Sequence, residues 1–102
     1  MYGETSRGRK LGKALQQKRL QDIFDVQMAV NGDHKGGDII SLGNRRNGKV
    51  YNISIDSEGN IDILNDGMTD SVIDTNKVPN GYFDSYDYKL KDVFNYIKDN
   101  LA

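Results

Sequence analysis

The sequence predicts an α+β fold: an N-terminal helix, a mainly antiparallel sheet of three to five strands, and a C-terminal amphipathic helix packed on one face. Three observations carry this. Residues 49–64 alternate apolar and polar side chains around the turn Ser57-Glu58-Gly59-Asn60, which is the period of a half-buried hairpin. Tyr86, Leu90, Val93, Phe94, Ile97 and Leu101 recur at i, i+4, i+7, i+8, i+11 and i+15, the stripe of a helix with one apolar face. Leu11, Ala14 and Leu15 share a face flanked by Lys10, Lys13, Gln17 and Lys18, which suits a helix over 10–21.

The elements follow in order. Residues 1–8 are small and polar and read as a flexible arm; residues 9–102 read as a single small α+β domain. In Phe24-Asp25-Val26-Gln27-Met28-Ala29-Val30 the even positions are apolar, and Asn31-Gly32 follows as a turn. A strand over 23–30 is therefore expected, although Leu20, Ile23, Phe24, Gln27 and Met28 also fit a continued helix. Asp38 to Gly43 is a short strand and Asn44-Arg45-Arg46-Asn47-Gly48 a hairpin loop. In the strand 49–56, Tyr51, Ile53 and Ile55 share one face, and Ile61 and Ile63 return to it after the turn, where Gly59 supplies a positive φ. Ser71-Val72-Ile73 suits a further short strand, and Asn76–Gly81, with Pro79, a loop. Asp84 or Ser85 caps the final helix, expected over 85–101. The core expected from this joins Ile53 and Ile55 to Phe94 and Ile97.

Composition narrows the function. The chain has 102 residues, 36% of them hydrophobic and 28% charged, with no cysteine. Disulfides, thiolate zinc sites and thiol nucleophiles are excluded. No apolar run approaches the roughly 20 residues that cross a bilayer, and the basic N-terminus leads to no apolar signal segment; a cytoplasmic protein with no membrane contact is expected. The Asn-, Asp-, Lys-, Tyr- and Ile-rich usage resembles in a general way that of small proteins from low-GC bacteria and their phages.

Charge is divided along the chain. Arg7, Arg9, Lys10, Lys13, Lys18 and Arg19 stand against Glu4 alone in residues 1–21, a net of +5. Residues 22–49 balance, and residues 50–102 hold four lysines against ten acids, a net of −6. Arg45 and Arg46 on their hairpin tip extend the basic surface. Such an arm suits a polyanion, the chain's own acidic body, or that of a second copy.

Signals for catalysis are sparse. His34 lies in Asp33-His34-Lys35-Gly36-Gly37-Asp38, where a general base or a metal pair could sit, but no phosphate-loop spacing accompanies it. A solvated turn accounts for the same residues. Asp56-Ser57-Glu58-Gly59-Asn60-Ile61-Asp62 begins like a calcium loop, yet Ile61 stands where glycine is required and Gly67 where the bidentate glutamate belongs. A nuclease cluster of Asp38, Asp56 and Lys49 would have generic spacing. No serine lies in a nucleophile elbow, and Glu4 and Glu58 are the two glutamates. No catalytic residue, metal or cofactor is assigned.

Tyr82-Phe83-Asp84-Ser85-Tyr86-Asp87-Tyr88 places four aromatics in seven residues, interleaved with Asp84 and Asp87. Aromatics with carboxylates suit a protein partner, and suit nucleic acid poorly, where stacking normally accompanies Lys or Arg. The competing reading packs Phe83 and Tyr86 into the core beneath the last helix. The function expected is a small non-catalytic interaction protein that binds a protein partner or self-assembles through the basic arm and the acidic aromatic surface. The alternatives are a small nuclease or toxin-like enzyme using the 33–38 loop, and a nucleic-acid-binding regulator.

Overall fold

The computed structural model describes residues 18–29 and 38–102, with Lys18, Arg19, Met28 and Ala29 described by backbone alone. A single turn of helix, α1 (Lys18–Gln21), leads into β1 (Phe24–Ala29), β2 (Asp38–Asn44), β3 (Val50–Ile55) and β4 (Ile61–Leu64), and the longer helix α2 (Leu90–Asn100) comes last. The four strands form an antiparallel meander in the order β1-β2-β3-β4. The α+β class is therefore observed. The helix expected over 10–21 lies outside the described residues except at 18–21, and so do the arm 1–8 and the loop residues 33–37.

Register decides which residues meet. Val26 lies opposite Leu42, Leu42 opposite Tyr51 and Ile40 opposite Ile53, and Ile53 opposite Ile63. Because side chains alternate between faces, Phe24, Val26, Ile40, Leu42, Tyr51, Ile53, Ile55, Ile61 and Ile63 share one face. That face joins Leu20, Ile73, Val78, Phe83, Val93, Tyr96, Ile97 and Leu101 in one core. Asp25, Gln27, Ile39, Ser41, Asn52, Ser54 and Asp62 occupy the opposite face. There Asn52 accepts from the Ser41 hydroxyl at 2.7 Å and donates to the carbonyls of Asn65 and Asp66.

Turn chemistry sets the hairpins. The Asn44 carboxamide oxygen accepts the Arg46 amide at 2.9 Å, and Gly48 takes φ 73°, which lets β3 return. Between β3 and β4 the Asp56 carboxylate accepts the amides of Glu58 and Asn60, while Gly59 takes φ 89°.

Hydrogen bonding also distinguishes the sheet's two edges. Ile61 and Phe83 exchange both backbone bonds, at 2.9 and 2.7 Å, and the Val72 amide donates to the Ile63 carbonyl at 2.8 Å. Three outward groups of β4 are thus occupied by following chain, and the Ile63 amide by the Asp62 carboxylate at 2.8 Å. At the other edge, Arg45 donates to the Ile23 carbonyl, so 23 and 45 form a hydrogen-bonded pair. Alternation along an antiparallel ladder then turns the N–H and C=O of Asp25, Gln27 and Ala29 toward β2, and those of Phe24, Val26 and Met28 outward.

Three sequence expectations are corrected. Residues 85–87 form a separate turn, and α2 begins at Leu90. Lys89 is extended (φ −94°, ψ 158°), which breaks any continuous helix from 85. The Asp92 carboxylate accepts the Lys89 amide at 2.9 Å and closes the new N-terminus. Phe94 is half-buried, because a helix centred on Val93 and Ile97 turns Tyr96 inward instead. Ser71 makes one isolated bridge, to Leu64, in place of a strand over 71–73. The strand expected over 23–30 is observed at Phe24–Ala29, in place of the alternative of a continued helix.

Candidate partner-binding surface

The segment 82–88 is held at both ends and displayed between. Its anchor is Phe83, 3% exposed, bound to β4 through its backbone and packed edge-on against Tyr88 (5.2 Å, 85°) and Tyr96 (5.6 Å, 73°). Asp84 then folds the next turn: its carboxylate accepts the Tyr86 amide at 2.9 Å, and its carbonyl accepts those of Asp87 and Tyr88 at 3.0 Å. The Ser85 amide donates to the Asn60 side chain at 3.1 Å, tying this turn to the β3–β4 turn. A tight turn anchored on Phe83 and Tyr88 points its middle residue away from the core. Tyr86 is 95% exposed and Tyr82 38%.

The reading that packs Phe83 and Tyr86 into the core therefore holds for Phe83 and fails for Tyr86. Phe83 is core, and Tyr88 is half-buried against it. Tyr86, whose spacing places it on the helix stripe, lies in open solvent. Asp84 is half-buried and serves the turn; Asp87 is exposed.

Two clefts flank the turn. One, of about 520 Å³, is lined by Ser54, Asp56, Asp62, Asn80 and Tyr82 among others. The other, of about 420 Å³, includes Lys77, Phe83, Asp87, Tyr88 and Asp99. From Tyr51 to Tyr88 the chain carries Asp56, Glu58, Asp62, Asp66, Asp70, Asp74, Asp84 and Asp87 against Lys77 alone. Among the described residues the one ion pair is elsewhere, between Arg45 and Asp25 at 4.0 Å. Lys77 itself donates to the neutral Asn100 side chain. Among the described residues this stretch is thus mainly anionic, with Lys77 its one cation and none of its carboxylates in an ion pair.

The other sequence candidates fall apart in space. Asp38 is fully buried on β2, opposite Ile55. Lys49 and Asp56 flank opposite ends of β3, which at about 3.3 Å per residue puts roughly 20 Å between them, so Asp38, Asp56 and Lys49 do not converge. The Asp56 carboxylate is occupied by the Glu58 and Asn60 amides and the Asn60 side chain, as a turn requires. Among the described residues no three His, Cys, Asp or Glu side chains come together as a metal site would need. Arg45 and Arg46 are exposed, and Arg45 bends back to the Gln21 carbonyl at 3.0 Å. Arg7, Arg9, Lys10 and Lys13, the side chains of Lys18 and Arg19, and His34 lie outside what is described.

Sequence reasoning missed Asn60 as the post that fixes the Tyr86 turn. Its only signal was its place in a turn motif. Compared with known proteins, the chain matches no family model, no curated protein and no solved structure.

Proposed function

We propose that the protein is a small non-catalytic interaction module that engages a protein partner through the aromatic and acidic surface of residues 82–88, in the cytoplasm. The observation that carries this reading is Tyr86, held 95% exposed by a turn whose hydrogen bonds fix its position. An exposed tyrosine on a fixed turn offers a large amphipathic contact with little rotamer entropy to lose on binding. Tyr82, Asp84 and Asp87 widen the patch, and the unneutralised carboxylates around it favour a cationic partner surface. The same carboxylates oppose a polyanion on this face.

Affinity capture on immobilised protein, with the captured protein then purified and titrated, tests the reading. Tyr86→Ala weakens that complex at least about tenfold, roughly 1.4 kcal/mol, and Asp87→Lys weakens it in a salt-dependent manner. Unchanged affinity in the Tyr82→Ala/Tyr86→Ala double variant would remove the surface from consideration.

A further inference from the structure

The two edges of the sheet are unequal, and the difference suggests a second interaction. On β4 the outward backbone groups of Ile61 and the carbonyl of Ile63 are taken by Phe83 and Val72. On β1 the ladder parity sends three N–H and three C=O groups outward, at Phe24, Val26 and Met28, and among the described residues nothing pairs with them. Edge strands in soluble proteins are commonly blunted by lysine, proline or a bulge. The strand Phe24–Ala29 has none of these devices; its one charge is Asp25.

We propose that the outer edge of β1 pairs with the same edge of a second copy about a two-fold axis, joining two four-stranded meanders into one antiparallel sheet of eight strands. The sequence of β1 is self-complementary in one register. With Val26 opposite Val26 of the other copy, Phe24 stands opposite Met28 and Asp25 opposite Gln27. All three outward-facing positions then become hydrogen-bonded pairs, and all six backbone groups are satisfied. The carboxylate of Asp25 meets a carboxamide and not a like charge, so the register carries no cross-strand repulsion. Shifting the register by two residues leaves one of the three positions unpaired at each end. Since directly opposed residues share a face, the core sides of both copies fall on one side of the joined sheet. An isologous contact of this kind closes on itself and forms a dimer, not a fibre. The pairing is at the opposite edge from the Tyr86 surface, which follows the β4 edge, so the two interactions are independent.

Sedimentation or light scattering on the full chain, from about 5 to about 500 µM, tests the proposal. The expected result is a mass rising with concentration from 11.5 kDa toward twice that value. Val26→Pro removes an outward N–H that β1 does not use for β2, a placement edge strands tolerate; it holds the protein monomeric with its circular dichroism retained. A second pair keeps the test decisive if that variant fails to fold. Gln27→Asp sets like charges opposite Asp25 and weakens the dimer several-fold, whereas Gln27→Lys maintains or tightens it. Tyr86→Ala leaves the mass unchanged. A wild-type mass of 11.5 kDa across the range overturns the proposal, including the case where slow exchange of the Val26 amide shows the edge to be covered by the chain's own residues. Equal dimerisation of the Gln27→Asp and Gln27→Lys variants overturns it as well.

Discussion

Asn44 does the work of several residues at the end of β2. It is 2% exposed, yet each end of its carboxamide is used. The oxygen accepts the Arg46 and Asn47 amides, and the nitrogen donates to the Leu101 carbonyl at 2.9 Å, 57 residues away. One side chain therefore closes the β2–β3 turn and caps the end of α2. Asn44→Ala strands a buried carbonyl and two turn amides, and unpaired groups of this kind cost about 1–3 kcal/mol each where water cannot reach them. The expected loss is about 2–4 kcal/mol in urea unfolding. Tyr96 is the second such residue. Its ring lies in the core and its hydroxyl accepts the Asp74 amide at 2.9 Å. Tyr96→Phe keeps the ring and removes the acceptor, so a loss of about 1 kcal/mol is expected. Neither role was legible in the sequence. Asparagine in a hairpin loop is a turn signal whether or not it also reaches a distant helix, and Tyr96 falls one position outside the apolar stripe.

At the scale of elements, three of the strands were legible because each has one wet or polar face and one buried face, which writes a period of two into the sequence. This holds for 24–29, where the alternation outweighs the helical spacing, and for 50–55 and 61–64. The start of α2 was not legible. Tyr86 stands four residues before Leu90 and so continues the stripe, while the break depends on an extended Lys89 and on Asp92 receiving its amide, neither of which changes the hydrophobic pattern. The same blind spot concealed the exposure of Tyr86. The inward arc of α2 makes a quantitative prediction. Ile97, fully buried, loses about 2–5 kcal/mol on truncation to alanine. Phe94, half-buried at the rim of the core, loses about 1–2 kcal/mol, since only part of its area leaves water. Chemical denaturation of both variants ranks them, and a larger loss at Phe94 would place the helix in the wrong rotation.

At the scale of the molecule, charge is unevenly divided along the chain, and ion pairing among the described residues does not offset it. The acids from Asp56 to Asp87 have no ion-pair partner among the described residues. Like charges on one surface repel over about 8–10 Å at physiological ionic strength, and added salt screens them. The melting temperature is expected to rise between 20 and 500 mM sodium chloride, roughly. A fall would mean that the basic residues at 7–19 already neutralise this surface within the same chain. The meander also fixes an order of events in time. Each strand pairs with its neighbour in sequence, and five residues separate β2 from β3 and β3 from β4, so the loop-closure entropy for these hairpins is small. Docking of α2 must instead close the long span from Asn44 to Leu101. The expected order is a barrier crossed with the hairpins formed and the helix not yet seated. In stopped-flow measurements, Asn44→Ala accelerates unfolding and leaves the refolding rate nearly unchanged, whereas Ile53→Val slows refolding. On that expectation the clasp between β2 and α2 governs how long a folded molecule lasts, and the central hairpin how soon it forms.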